Sequence, residues 1–188
     1  RSQYGADGQA SCPGYHGSGK IQEGRHMAFG CTSISSSDPE HAGVLLVEWN
    51  PQTETFTSRK VRYPDAHVDE RVGTFVFDPA TMYWIGNYDV SSTGEQGLVR
   101  IDTTHATQLN PSTDILRNLT YDRCAFTMVP GLSHTLAELA GDGRLYLYDT
   151  QNLQAPPRHV QLFPARPCSE VDDLHDDLDL TASADQVV

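Results

Sequence analysis

The segment 11–31 contains the residues with the clearest chemical potential, two cysteines with a histidine between them. Cys12 and Cys31 are nineteen positions apart, and His16 precedes Gly17, where the backbone can bend sharply. A disulfide between the two cysteines would stabilise the loop by roughly 3 kcal/mol and fix the direction of the histidine. Because imidazole suits Zn²⁺, His16 is the first candidate zinc ligand. The alternative is a histidine that is hydrogen-bonded to the backbone beneath a disulfide.

Two further histidines are candidate metal ligands. His26 follows ten residues after His16, and we expect it on the same side of the loop. His175 lies in the acidic segment 170–179, which has six carboxylates but lacks the glycine and the spacing of an EF-hand loop. The alternative for this segment is a solvated acidic loop. The other five histidines are scattered and form no spaced cluster: His41, His67, His105, His134 and His159.

The four cysteines indicate a disulfide framework in an oxidising compartment. Three pairings are possible, and the local strand pattern favours Cys12 with Cys31 and Cys124 with Cys168. Neither pair has the C-x-x-C spacing of a zinc or redox site, so we predict structural disulfides. Asn118 begins an N-glycosylation sequon, which is typical of a surface turn in a secreted protein if the source is eukaryotic.

Charge and motifs exclude several classes of function. The chain has 188 residues, a net charge of -12 and a pI of about 4.9, so its surface repels nucleic acid. Such a surface favours cations, and the alternative is that its charge serves only solubility. Its longest apolar run is strand-sized, which argues against membrane insertion. Nucleophile-elbow, phosphate-loop and H-E-x-x-H motifs are absent from the sequence, so we expect no enzymatic activity. Because Arg1 stands first without a signal peptide, we expect a processed or excised segment.

Repeated strand pairs must position these residues. Apolar strands begin at Gly43, Gly97 and Gly143, with spacings of 54 and 46 residues, close to the ~40 to 50 of a four-stranded propeller blade. We predict an all-β partial β-propeller of about three to four blades over 11–188, after an extended lead-in over 1–10. The predicted strand pairs are 43–49 with 53–59, 97–102 with 103–109, and 143–149 with 150–154, preceded by strands at 81–86 and 134–139; 184–188 begins another copy.

The segment 12–31 resembles the C-P-G-x-H-G…F-G-C segment of the AztD-type zinc metallochaperones, which are secreted β-propellers. Later segments continue the resemblance in order, over roughly 11–149 and about half of a family member: 71–74, 85–88, 97–102 and 142–149. The resemblance implies a periplasmic or secreted protein that holds zinc near the propeller channel through His16 and donors from other blades. It also implies delivery of zinc to the solute-binding component of an ABC importer. The family's His/Asp-rich segment lies near the amino terminus, unlike the segment around His175.

An incomplete ring leaves two blade faces uncovered. We therefore expect a second polypeptide, a second copy of the chain or further residues to complete the ring, and a lone monomer is the least expected state. The alternative function is a structural or assembly module of a larger extracellular complex, pairing through a strand at 186–188. An enzyme on a quinoprotein-like propeller is a third interpretation, because propellers host many chemistries.

Overall fold

The computed structural model describes residues 12, 14–22, 25–32, 42–64, 69–104 and 107–172. The predicted all-β class is confirmed, because these residues form twelve strands and one short helix. The strands are β1 Gly14–Gln22, β2 His26–Thr32, β3 Gly43–Asn50, β4 Thr55–Val61, β5 Glu70–Asp78, β6 Tyr83–Val90, β7 Glu95–Asp102, β8 Ile115–Leu116, β9 Arg123–Met128, β10 Thr135–Ala140, β11 Arg144–Asp149 and β12 Arg158–Gln161; the helix is α1 Cys168–Asp172.

The strands form three meanders of four consecutive strands, in the orders β4-β3-β2-β1, β5-β6-β7-β8 and β12-β11-β10-β9. Strands β1 and β5 run parallel and pair at Gly19 and Phe75, which joins the first two meanders. The chain divides into two compact units. The first unit is Arg1–Phe77 with Met82–Leu119, and the second is Asp78–Thr81 with Thr120–Val188. Three meanders agree in number with the repeats predicted from the glycine-led strands.

The core of the first unit depends on small residues in β2. Ala28 lies in a buried cluster with Leu46, Val72 and Trp84. A Cβ atom placed on Gly30 would overlap the carbonyl oxygen of Val72. The glycine therefore lets β2 approach β5 more closely than any side chain would allow.

The opposite face of the first meander is apolar as well. Leu45 and Cys31 form a second buried cluster, with Phe29 and Val47 packed against it. The side chains of this face surround a cavity of about 350 Å³. At its border, Phe56 is 59% exposed.

The outer strands lie later in the chain than predicted. The segments 103–109 and 150–154 were expected to be strands, but the outer strands are β8 and β12. The Asp102 carboxylate accepts a hydrogen bond from the Thr104 N–H at 2.6 Å, and the Asp149 carboxylate accepts one from the Gln151 N–H at 2.9 Å. These side-chain turns redirect the chain before another strand can pair.

Both favoured cysteine pairs are disulfide-bonded. The Cα atoms of Cys12 and Cys31 are 5.1 Å apart, and those of Cys124 and Cys168 are 5.0 Å apart. The second bond links β9 to α1, a five-residue helix that the sequence analysis did not predict. Asn118, the first residue of the sequon, is exposed and has a φ of 61°. In the described parts of the chain, no helix has the length and apolar character needed to span a membrane.

Candidate metal-binding cavity

The structure describes the three histidines proposed as metal ligands to different extents. His175 and the side chain of His16 lie outside the described residues. The backbone of His16 lies in β1 at an irregularity between the pairs Tyr15 with Cys31 and Gly17 with Gly30. Such bulges redirect side chains and are common beside functional sites. The fully described candidate is His26.

His26 is the first residue of β2. It pairs with Gln22 of β1, four residues along β2 from Gly30, so about 14 Å of strand separates it from the pair beside His16. The structure therefore does not bring the two histidine backbones together. The His26 ring stacks on Phe77 with centroids 6.0 Å apart and planes at 16°. This contact orients the imidazole.

Glu48 of β3 lies directly opposite His26 in the antiparallel register. Opposed residues have Cβ atoms about 5 Å apart, so an imidazole nitrogen and a carboxylate oxygen can reach one ion. Thr57 of β4 continues the same row. Sequence analysis missed Glu48 because the register of β2 against β3 cannot be deduced across the ten-residue connection between them. The alternation of apolar residues in both strands is the sequence signal that reduces the number of possible registers.

Both residues line a cavity of about 430 Å³ in the first unit. This volume is in the range of small-ligand pockets. Polar groups come from His26, Glu48 and Arg59, and apolar surface comes from side chains that include Trp84 and Met82. The cavity therefore combines metal-ligating, charged and apolar groups.

Arg59 supplies the positive charge of the cavity. Its Nη2 donates a hydrogen bond to the carbonyl oxygen of Asp102 at 3.1 Å. Burial lowers the pKa of the Arg59 guanidinium, and the negative charge of Asp102 opposes this shift. The Asp102 carboxylate is itself held by the Thr104 N–H and hydroxyl, at 2.6 and 2.5 Å. The carboxylates of Glu48 and Asp102 therefore offset the guanidinium, and the local charge does not disfavour a cation.

Met82 has a left-handed backbone at the wall of the cavity. Its φ is 61°, which is uncommon for a residue other than glycine. The Thr103 N–H and hydroxyl both donate to the Met82 carbonyl oxygen, at 3.2 and 2.7 Å. Glu54, Gly94 and His134 take the same left-handed conformation immediately before β4, β7 and β10, so this backbone belongs to the hairpin turn that leads into β6.

The described residues contain no group of three or more His, Cys, Asp and Glu side chains suited to a metal ion. His26 and Glu48 thus supply two of the three or four ligands that zinc uses. The remaining positions would be filled by water or by donors outside the described residues. Two protein ligands are fewer than a structural zinc site has.

Other described histidines lie in the second unit. The His134 Nδ1 is 3.4 Å from the Asp78 Oδ2, which also accepts a hydrogen bond from the Thr150 hydroxyl at 2.7 Å. His159 is exposed, with its ring 5.5 Å from that of Tyr146. Neither belongs to the cavity around His26.

The hydrogen bonds to the Asp78 carboxylate predict that the protein loses stability at acid pH. Burial raises the pKa of Asp78, but hydrogen bonds from Thr150, Ala80 and His134 outweigh burial and lower it. A carboxyl group whose pKa is lower in the folded protein than in the unfolded protein stabilises the fold at pH values above the unfolded pKa of about 3.9. This stabilisation is lost as the pH falls through the folded pKa. We expect Thr150→Val to lower the free energy of unfolding by about 2 kcal/mol at pH 7.

Urea unfolding between pH 7 and pH 3 measures this effect. We expect the stability difference between wild type and Thr150→Val to shrink toward pH 3. Asp78→Asn should reduce the pH dependence further, because it removes the titrating group. An unchanged difference across this range would contradict the assignment.

Comparisons with known proteins identify the fold. No protein-family model and no curated protein matches the chain. Two solved structures of AztD from Citrobacter koseri, one of them the apo form, match it with a TM-score of 0.59 and 21% sequence identity over 82% of this chain. The fold is similar to that of AztD.

The match covers 36% of the apo AztD chain and 35% of the other AztD chain. The chain therefore spans about a third of the length of AztD. At this identity the likeness to AztD shows the fold alone, and the chemistry must be argued from the residues.

Proposed function

We propose that this chain is part of a secreted or periplasmic β-propeller that binds zinc, without enzymatic activity, in a role related to that of the AztD-type metallochaperones. The three four-stranded meanders support the propeller, since each has the strand number of a blade. The likeness to AztD and the two disulfides support the family and the oxidising compartment. Glycosylation at the exposed Asn118 belongs to the same proposal if the source is eukaryotic.

The observation that carries the proposal is the opposed pair of His26 and Glu48 at the cavity. Nitrogen and oxygen donors suit Zn²⁺, and two protein ligands leave coordination positions open. An ion held in this way can exchange ligands, which suits a carrier better than a structural site. His16 and His175 are proposed as further donors. Delivery to the solute-binding component of a zinc ABC importer is the proposed later step.

A zinc titration in competition with a chromophoric chelator tests the site. We expect His26→Ala and Glu48→Gln each to weaken zinc binding by about tenfold or more, because each removes one ligand. The matched control is His159→Ala, which removes an exposed histidine far from the pair in sequence. Equal zinc affinities in wild type, His26→Ala and Glu48→Gln would refute the proposed site.

A structural or assembly module is the second candidate function. The apolar face with Leu45, Phe29 and the exposed Phe56 favours it, because such a face is suited to cover by another sheet. Native mass spectrometry before and after chelation separates the two functions. A chelator-sensitive mass of one zinc supports the carrier. An assembly with itself or a second polypeptide that carries no metal and ignores the chelator supports the module.

A further inference from the structure

We propose that the cavity takes zinc together with a small carboxylate chelator, and that Arg59 binds the carboxylate of this chelator. The inference rests on the proposed zinc function and names the class of ligand that fills the open coordination positions. Arg59 lines the same cavity of about 430 Å³ as His26 and Glu48. A cavity of this volume has room for a small organic molecule as well as an ion.

The strand register places Arg59 beside the candidate zinc ligands. In the pairing of β3 with β4, Glu48 lies opposite Thr57, and Leu46 lies opposite Arg59. Side chains alternate along a strand, so those of Glu48 and Arg59 are on the same face of the sheet. Diagonal neighbours of this kind are about 7–8 Å apart, a distance that long side chains can span. A carboxylate bound to zinc beside Glu48 would therefore be within reach of the guanidinium.

The charges at the cavity favour one added anion when zinc is bound. Arg59 carries one positive charge, and Glu48 and the adjoining Asp102 carry one negative charge each. Zn²⁺ would turn this excess of one negative charge into an excess of one positive charge, which a single carboxylate neutralises. Burial lowers the pKa of Arg59 although the charge of Asp102 opposes the shift, so a further anionic partner would stabilise the guanidinium.

The plainer explanation is that Arg59 only connects β4 to the end of β7, through its hydrogen bond to the Asp102 carbonyl oxygen. A lysine could make that bond. It lacks the planar guanidinium that holds a carboxylate by two parallel hydrogen bonds. Arg59→Lys therefore separates the two roles, because it keeps the positive charge and a donor but removes the two-point contact with a carboxylate.

Picolinate and picolylamine are matched probes, because both chelate zinc through two atoms and only picolinate has a carboxylate. Isothermal titration calorimetry measures the affinity of each probe for the zinc-loaded protein. We expect Arg59→Lys to weaken picolinate binding by about tenfold and to leave picolylamine binding unchanged. The matched control is Lys60→Met, since the next residue of β4 faces the opposite side of the sheet and should affect neither probe.

Far-UV circular dichroism establishes that each variant is folded. Equal picolinate affinities in wild type and Arg59→Lys would overturn the inference and leave the zinc function intact. Extraction of the zinc by picolinate, without a ternary complex, would do the same. Failure of the zinc function appears separately, in the zinc titration without either probe. There, a zinc affinity unchanged in both His26→Ala and Glu48→Gln would overturn the zinc function and this inference together.

Discussion

Gly30→Ala should cost at least about 3 kcal/mol in the free energy of unfolding, or prevent folding of the first unit. The added Cβ would overlap the carbonyl oxygen of Val72, a backbone atom in β5 that cannot rotate away. Relief requires the first two meanders to separate around a core that includes Ala28 and Trp84. Thermal and urea unfolding followed by tryptophan fluorescence measure the loss.

Gly73→Ala is the matched control for this substitution. Gly73 also lies in β5, but a Cβ there meets only the Asn87 Cβ at 4.0 Å. This change should be neutral or stabilise by about 0.5 kcal/mol, because alanine restricts the unfolded chain. Similar losses in both variants would show that strand propensity, and not the approach to Val72, requires glycine at position 30.

The inner strands could be predicted from the sequence because their signal is local. Gly43, Gly97 and Gly143 each precede an apolar run, and these runs are β3, β7 and β11. The outer strands could not, because side chains of Asp102 and Asp149 compete with strand pairing immediately after those runs. Short-range hydrogen bonds of this kind cannot be deduced from hydrophobic periodicity.

The candidate site shows a similar limit. His26 could be selected by residue type, but its partner Glu48 depends on a register between strands that are far apart in the chain. Met82 also lines the cavity, at the end of the hairpin turn that leads into β6. Individual donors are thus readable from the sequence, whereas their combination depends on long-range pairing.

In the second unit, the buried carboxylate of Glu138 is expected to produce the other large effect. Glu138 is fully buried and pairs with Arg123, whose side chain is 3% exposed. The Tyr121 hydroxyl donates to the Glu138 Oε2 at 3.3 Å. Burial and then the charge of Glu138 raise the pKa of Tyr121, so this hydroxyl stays protonated as a donor. Glu138→Ala should lower the free energy of unfolding by about 3–5 kcal/mol, since it leaves the Arg123 charge buried without its carboxylate.

Arg144→Met provides the comparison on a neighbouring strand. Its ion pair with Asp142 is 3.4 Å long, and the Arg144 side chain is 43% exposed, so its loss should cost no more than about 1 kcal/mol. The double variant Glu138→Leu/Arg123→Met should recover much of the stability lost in Glu138→Ala, because no buried charge remains. Urea unfolding of the wild type and of these variants measures the loss in the free energy of unfolding for each substitution. If the double variant is as unstable as Glu138→Ala, the hydrogen bond from Tyr121 to Glu138, and not the buried charge of Arg123, dominates the loss.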